Sequence, residues 1–424
     1  MLYHLREAQR AVLQPLASWA DSMGHLYGDP YSPLALTPFA NRISAGFELL
    51  HRLGKEYEKP EFGLSTTYIE GLEVPVAERV EIGLPFCRLL KFERLLPKSL
   101  AHRASDPVVL VFAPLSGHHA TLLRDTVRAL LPDHNVYITD WIDARMVSTW
   151  HGPFTLDDYV GYSIRFMRHL APDLHVLAVC QPTVPVMAAV SLMAAMKDPH
   201  MPSTMTLMGG PLDTSNSPTR VNDLATTRSY DWFERVLIHR VPSRYPGSGR
   251  RVYPGFLQRA GFVSMNPDRH MISHWDFYLD LVRGDLEDAE AHRRFYDEYN
   301  AVLDMPAEYY LDTIRTVFQE RALANGTWDV EFEGRLRRVE PDKIRDVALF
   351  TIEGELDDIS GPGQTEAAHS MCSGIPAASK SHLMVEGAGH YGIFSGRRWR
   401  QTICPEIRAF IAANRRESQL RLVS

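Results

Sequence analysis

The fold is decided by one stretch, Leu174-His-Val-Leu-Ala-Val-Cys-Gln-Pro-Thr-Val-Pro-Val-Met187. Its first six residues are apolar apart from His175, as expected of a short strand that is buried on both faces. The two prolines after Cys180 stand where the first turn of a helix accepts a residue without an N–H. The stretch therefore predicts a strand that turns sharply into a helix at Cys180, the corner known as a nucleophile elbow.

The corner residues, Ala178 to Pro182, keep the architecture of the elbow but not its usual G-x-S-x-G text. Cysteine takes the place of the nucleophilic serine, and small or turn-compatible residues flank it. Taken alone, the stretch is equally consistent with Cys180 as a buried structural thiol, which is what most free cysteines are.

Composition excludes several classes of protein. The chain has 424 residues, 45% of them hydrophobic, and can bury a substantial core in one to three domains. A net charge of −7 argues against nucleic acid as a partner. The first ten residues mix charged with apolar side chains and lack a signal-peptide core. Since no apolar run approaches the length of a membrane span, we expect a cytoplasmic protein with no membrane span.

The cysteines are scattered and show no C-x-x-C spacing. Neither a zinc site nor a disulfide framework is indicated, and no metal or cofactor is expected. Cys87, Cys372 and Cys404 are interpreted as structural thiols. In a reducing compartment a cysteine nucleophile would stay reduced.

The order of apolar runs predicts an α/β fold in four parts. Residues 1–70 form a helical N-terminal arm, and 71–211 form the first part of a core in which strands alternate with helices. Residues 212–345 are rich in aromatic side chains, without a clear strand run, and are predicted to be a largely helical cap. The alternation resumes in 346–424, where residues 363–372 are expected to form a helix. Alternating strands and helices imply a mostly parallel, doubly wound sheet.

The arm is expected to consist of short helices, the first of them broken at Pro15. Its apolar residues are interpreted as a packing surface. The alternative is that they dock the protein on a hydrophobic surface; a face poor in Lys and Arg makes this less favoured.

Reactive or turn-forming residues follow the predicted strands in an informative order. The first central strand ends at 114–117, a later strand ends at Cys180, and two more are followed by Asp357 and His390. Active sites of open α/β sheets lie at the carboxyl ends of the strands. The chain order nucleophile, acid, histidine, with a cap before the last strands, predicts the α/β-hydrolase fold.

Each of these residues has an expected role. His390 would be the general base and then the general acid, and Asp357 would orient it. A histidine that accepts the thiol proton, together with a helix N-terminus, favours the thiolate of Cys180. The backbone N–H of Gln181 is expected to be one oxyanion donor. The second is expected from Leu115, with Ser116 as the alternative.

Some rivals stay open. Asp358 is adjacent to Asp357 and could be the acid of the triad. His118 or His119 could be the base, although both precede the nucleophile in the chain and are expected to line or cap the first helix. Ser163 is a poor rival nucleophile, since it is predicted inside a helix and lacks the second small residue of the motif.

Longer strings resemble the intracellular poly(3-hydroxybutyrate) depolymerases, enzymes of bacteria that store polyester granules. The strings are Arg52-Leu-Gly-Lys-Glu-Tyr-Glu-Lys59, Ala113-Pro-Leu-Ser-Gly-His-His-Ala-Thr-Leu-Leu-Arg-Asp125, Thr139-Asp-Trp-Ile-Asp-Ala-Arg145, Val179-Cys-Gln-Pro-Thr-Val-Pro185, Glu353-Gly-Glu-Leu-Asp-Asp-Ile-Ser360 and Gly389-His-Tyr-Gly-Ile-Phe-Ser-Gly-Arg-Arg-Trp399. The resemblance extends over nearly the whole chain.

The resemblance implies a hydrolase that cleaves the ester bonds of stored polyhydroxybutyrate, with Cys180 as nucleophile, Asp357 as acid and His390 as base. It implies the polyhydroxybutyrate granule surface as partner and a cytoplasmic location at storage granules. Two alternatives remain. One is a hydroxyacyl transferase like the polyester synthases, which use coenzyme A thioesters, and the other is a granule-coating protein without catalysis.

Overall fold

The computed structural model describes residues 2–265 and 267–415. The strands in these residues are β1 (Thr66–Ile69), β2 (Leu72–Gly83), β3 (Cys87–Arg94), β4 (Val108–Phe112), β5 (Asn135–Trp141), β6 (Leu174–Val179), β7 (Thr204–Met208), β8 (His239–Arg240), β9 (Arg251–Tyr253), β10 (Met305–Pro306), β11 (Asp329–Phe332), β12 (Arg335–Arg338), β13 (Ala348–Gly354) and β14 (Lys380–Val385). The α-helices are α1 (Leu2–Gly28), α2 (Ala40–Gly54), α3 (Arg124–Leu130), α4 (Leu156–Leu170), α5 (Thr183–Ala195), α6 (Arg220–Thr227), α7 (Tyr230–Leu237), α8 (Gly255–Met265), α9 (Pro267–Arg283), α10 (Leu286–Asn300), α11 (Ala307–Thr313), α12 (Ala368–Met371), α13 (Gly396–Arg398) and α14 (Cys404–Ala413).

A nine-stranded sheet forms the centre of the molecule, in the order β1-β2-β3-β5-β4-β6-β7-β13-β14. Strands β1, β2 and β3 join by antiparallel pairs, and β3 pairs antiparallel with β5. From β5 to β14 every neighbouring pair is parallel. After the edge strand β1, this order is that of the α/β-hydrolase fold, and the predicted fold class is confirmed.

Strand β6 lies in the middle of this sheet, and all six of its residues are buried. Helix α5, which follows it, is buried from Thr183 to Met193 around its whole circumference. A helix that is apolar on every side needs neighbours on every side. The predicted strand and apolar helix are therefore present, and they hold the corner at Cys180 in the core.

The order of the strands also locates the binding crevice. The chain passes from β4 to β5 on one side and returns to place β6 on the other side of β4. A crevice opens at such a reversal, outside the carboxyl ends of the strands. The loop after β4 and the corner after β6 therefore meet at one edge of the sheet.

The segment between β7 and β13 contains helices α6 to α11, and the strands β8 to β12 lie in it as well. These strands form a three-stranded and a two-stranded sheet. These strands are runs of two to four residues, which are too short for an alternating pattern to appear in the sequence. The division of the chain into four parts stays a prediction.

The N-terminal arm differs from expectation at Pro15, which lies inside a continuous α1. A proline removes one hydrogen bond from a helix. Helix α1 nevertheless packs along α2, and this packing stabilises it across Pro15. None of the described helices is long and apolar enough to cross a membrane.

The helix expected over 363–372 was also wrong for most of its length, since only α12 is α-helical there. The reason is Glu353, whose carboxylate accepts the backbone N–H groups of Gly363, Thr365 and Glu366 at 2.6 to 2.9 Å. A buried carboxylate that binds these donors holds the backbone in turns in place of a regular helix.

Candidate active site

The corner at Cys180 has the backbone conformation of a nucleophile elbow. Cys180 has φ = +67°, in the left-handed region that side chains with a Cβ rarely adopt. Its N–H donates to the Met208 carbonyl at 2.7 Å, and its carbonyl accepts from the Thr183 N–H at 3.1 Å. These bonds to β7 and α5 offset a conformation that costs about 1–3 kcal/mol. Hydrogen bonds to the neighbouring strand and helix therefore stabilise the corner. At this corner the Cys180 thiol leaves the sheet.

Asp357 and His390 lie together at this corner. The Nδ1–H of His390 donates to Asp357 Oδ2 at 2.8 Å. The His390 ring and the Cys180 side chain line the same cavity and interact electrostatically. The other carboxylate oxygen of Asp357 accepts the backbone N–H groups of Ile359 and Ser360, both at 2.9 Å. Residues that span 210 positions of the chain thus lie at one corner of the sheet.

The charges around His390 favour its protonated form. Burial alone lowers the pKa of an imidazole, but here Cys180 and Asp357 outweigh it. Together they hold the pKa of His390 well above its ordinary value of 6.5. The arrangement can therefore take a proton from the thiol and keep it on the imidazole.

The loop after β4 lies against the same corner. The carbonyl of Ala113 accepts from the indole N–H of Trp141 at 2.8 Å and from the Tyr159 hydroxyl at 3.4 Å. Leu115 lines the cavity above Cys180, as do Ser116 and Gln181. In the described part of the chain, the backbone N–H groups of Leu115 and Gln181 bind no other group. Both N–H groups are available to an oxygen bound near the thiol.

A cavity of about 330 Å³ lies over the thiol, between the sheet and the segment from α6 to α11. Its lining is mostly apolar and aromatic, and most of it comes from that segment. The lining residues from the insertion include Val221, Leu224, Ala225, Phe233, Tyr253, Phe262, Met305, Tyr309, Tyr310, Ile314 and Phe318. An apolar cavity with a few placed polar groups is typical of sites for small or slender apolar ligands.

Tyr309 joins the insertion to the corner, a contact that the sequence did not predict. Its hydroxyl accepts a hydrogen bond from the side-chain amide of Gln181, the residue after Cys180. The ring is buried and stacks on Tyr159 with centroids 5.8 Å apart. The only signal in the sequence was the aromatic richness of residues 212–345, which does not single out one tyrosine.

The alternative acid differs from Asp357 in burial, and the alternative bases differ from His390 in pKa. Asp358 is exposed, whereas Asp357 is buried. His118 lines the cavity, where burial lowers its pKa to about 4. Burial and the nearby Lys59 lower the pKa of His119 to about 3. Both rings stay neutral and are weak bases, unlike His390.

The other candidate nucleophiles are buried in the core. Ser163 lies inside α4 and donates to the Tyr159 carbonyl at 2.9 Å. Cys87, Cys372 and Cys404 are all buried, and burial raises the pKa of Cys372 to about 12. Thiols in such surroundings are inert.

One group of side chains has the spacing of metal ligands. Glu353, Glu366 and His382 each place a ligand atom within 4.8 Å of the others. Both oxygens of Glu353 already accept backbone N–H groups, so this carboxylate has a structural role. The group lies outside the cavity described above.

Comparison with known proteins gives one family match. Residues 209–415, which include Asp357 and His390, match the family model described as PHB de-polymerase C-terminus. The match covers just under half of the chain. No curated protein matches the chain. The family match and the α/β-hydrolase fold support an ester hydrolase.

Solved structures similar to this chain include several hydrolases. The monoacylglycerol lipase of Paleococcus ferrophilus is 13% identical, with a TM-score of 0.42 over 72% of this chain and 94% of that one. A structure reported for carboxylesterases of Nitrososphaera gargenis is 12% identical, with a TM-score of 0.41 over 80% and 99%. A 2-hydroxy-6-oxo-6-phenylhexa-2,4-dienoate hydrolase from Rhodococcus has the same identity, TM-score and coverage. The fold assignment itself rests on the strand order.

Proposed function

We propose that this protein hydrolyses the ester bonds of poly(3-hydroxybutyrate), with Cys180 as nucleophile, His390 as base and acid, and Asp357 as the residue that orients His390. The observation that carries the proposal is the hydrogen bond of the His390 ring to the Asp357 carboxylate, with the ring and the Cys180 thiol on one cavity. A substrate in that cavity can reach the sulfur.

The first half of the reaction forms a thioester. His390 takes the thiol proton, and the Cys180 sulfur attacks the ester carbonyl carbon. The carbonyl oxygen becomes an oxyanion, which the N–H groups of Gln181 and Leu115 stabilise. The tetrahedral intermediate collapses as the C–O bond breaks, and His390 gives its proton to the departing alkoxide. One hydroxyl-ended product leaves, and the acyl group stays on Cys180.

The second half hydrolyses the thioester. His390 takes a proton from a water molecule, whose oxygen attacks the acyl carbon. The same N–H groups stabilise the second oxyanion. When the C–S bond breaks, the proton on His390 passes to the sulfur, and a hydroxybutyrate unit or oligomer leaves as the acid. Asp357 remains ionised throughout and fixes the orientation of the ring.

The cavity suits an uncharged, apolar chain. Its lining is dominated by aromatic and aliphatic side chains, which gain free energy when they cover the methyl and methylene groups of a polyester. The family match over 209–415 adds support for poly(3-hydroxybutyrate) as the polymer.

The proposed partner is the granule surface in the cytoplasm, and helix α1 supports it. Large apolar side chains recur at intervals of three, four or seven residues along one side of α1, and they are exposed: Leu5, Val12, Leu16, Trp19 and Leu26. Two charged residues of the same helix turn toward the protein, where Glu7 and Arg10 both contact Tyr245. An uncharged apolar stripe fits an uncharged polymer surface.

Native polyhydroxybutyrate granules test the proposal. Wild-type protein is expected to release soluble 3-hydroxybutyrate products from them, and Cys180→Ala is expected to release none above background. Cys404→Ala removes a thiol outside the site and should keep the wild-type rate. Equal release by wild type and Cys180→Ala would remove Cys180 from its role.

The same proteins distinguish the two alternatives. Incubation with hydroxybutyryl-coenzyme A would yield polymer and free coenzyme A from a synthase-like transferase, and neither product is expected here. Binding to granules without release of product by the wild type would contradict hydrolysis and would favour a coating protein.

A further inference from the structure

The roof of the cavity carries two tyrosines that the reaction described above does not use. Tyr253 is the last residue of β9, and Tyr310 lies on α11 beside Tyr309. Their rings are in contact, with centroids 4.3 Å apart and planes inclined at 37°. Both line the same cavity as Cys180. They belong to the insertion, whereas Cys180 and His390 lie at the carboxyl edge of the sheet.

The two hydroxyls are unsatisfied donors. Both side chains are half-buried, and neither hydroxyl makes a hydrogen bond with another group in residues 2–265 or 267–415. Burial raises the pKa of Tyr253 to about 12 and also raises the pKa of Tyr310. Both phenols therefore keep their protons at neutral pH and remain donors.

Three other polar side chains of the lining, Gln258, Ser264 and Thr313, are already bonded to main-chain carbonyls. The Gln258 amide donates to the carbonyls of Tyr253 and Leu303 at 2.8 and 3.1 Å. The hydroxyls of Ser264 and Thr313 likewise donate to carbonyls of their own helices. The bond from Gln258 also fixes the backbone of Tyr253, which holds its ring in place.

The chemistry of the polymer matches this pair. Each repeat unit of a polyester carries an ester carbonyl that accepts hydrogen bonds, and within the chain it carries no donor. A site that holds such a chain by polar contacts must therefore supply donors. In an apolar cavity a neutral phenol can bind a carbonyl without the desolvation cost of a charged group.

We propose that the hydroxyls of Tyr253 and Tyr310 form a subsite that binds an ester carbonyl of a repeat unit neighbouring the one attacked by Cys180. This inference rests on the proposed function and names the residues that select an oligoester over a simple ester. The subsite is distant in sequence from the catalytic residues and contacts only substrate that extends beyond the cleaved bond.

The test compares a linear trimer of 3-hydroxybutyrate with p-nitrophenyl acetate, which has no neighbouring repeat unit to place in the subsite. In Tyr253→Phe and Tyr310→Phe the ring is kept and one hydroxyl is lost. Each variant is expected to lower the ratio of kcat/KM for the trimer to that for the acetate by about tenfold, because one hydrogen bond contributes roughly 1.4 kcal/mol. The loss should appear mainly in KM for the trimer.

Tyr68→Phe is the matched control, since Tyr68 is an exposed tyrosine of β1 at the edge of the sheet, and its ratio should equal that of the wild type. A wild-type ratio in both cavity variants would overturn the subsite while the proposed function stands. An equal loss on both substrates would assign the tyrosines a structural role and also overturn it. A wild type that cleaves the acetate but not the trimer would contradict polyester hydrolysis itself.

Discussion

At the scale of single residues, Asp357 and Asp358 provide the sharpest comparison. They are adjacent in sequence, but only Asp357 is buried and bonded to His390. Asp357→Asn is expected to lower kcat/KM for ester hydrolysis by about 10²–10⁴-fold, since the amide no longer orients and stabilises the imidazolium. Asp358→Asn is the matched control and should stay close to the wild type.

The kcat/KM profile of Asp357→Asn is expected to shift in one direction along the pH axis. The pKa of His390 is held well above 6.5 in part by the Asp357 charge, so the alkaline limb of the kcat/KM profile should lie well above pH 6.5 in the wild type. Removing that charge lowers the pKa, and the limb of Asp357→Asn should move to lower pH. If the alkaline limb does not shift, a group other than His390 determines its position.

At the scale of elements, the connection between β4 and α3 depends on Gly117. Its φ of +108° is in the region that favours glycine, and a Cβ there would lie 2.2 Å from Oε1 of the buried Gln258. Gly117→Ala is expected to displace the loop that carries Leu115 and to lower kcat for ester hydrolysis about 10²-fold, as loss of one oxyanion donor does.

A variant of a second glycine distinguishes the effect of a positive φ from the effect of the clash with Gln258. Gly71 also has a positive φ, of +81°, but a Cβ there would meet no atom within 4 Å. Gly71→Ala should lower the unfolding temperature slightly and leave kcat at the wild-type value. If both variants lose kcat to the same extent, the loop after β4 does not position the donor.

The elements show where sequence reasoning succeeds and where it stops. Strand β6 and helix α5 were predictable because burial on every side demands an unbroken apolar run. The continuous α1 was not, because packing against α2 overrides the preference of Pro15. Likewise, the bond from Gln181 to Tyr309 joins residues 128 positions apart, and nothing in local sequence encodes such a contact.

At the scale of the whole molecule, the exposed apolar stripe on α1 is the surface proposed to bind polyhydroxybutyrate granules. Leu16→Glu places a charge in the middle of this stripe and is expected to lower the fraction of protein that sediments with polyhydroxybutyrate granules several-fold. Hydrolysis of the soluble trimer should be unaffected, because α1 does not line the cavity.

Leu336→Glu is the matched control for that variant. Leu336 is even more exposed, at 71% against 53% for Leu16, but it lies on β12. It should sediment with granules as the wild type does. If Leu336→Glu impairs binding as strongly as Leu16→Glu, granule attachment depends on general surface charge and not on the N-terminal arm.

The volume over the thiol has a consequence for the physical state of the polymer. A space of about 330 Å³ holds only a short run of repeat units, whereas a storage polymer is far longer. Under the proposed function, the protein therefore binds a loose segment of polymer at the granule surface before any bond breaks. On that proposal, turnover is expected to depend on the mobility of polymer chains at the granule surface, and crystallisation of the polymer is expected to slow hydrolysis although the protein is unchanged.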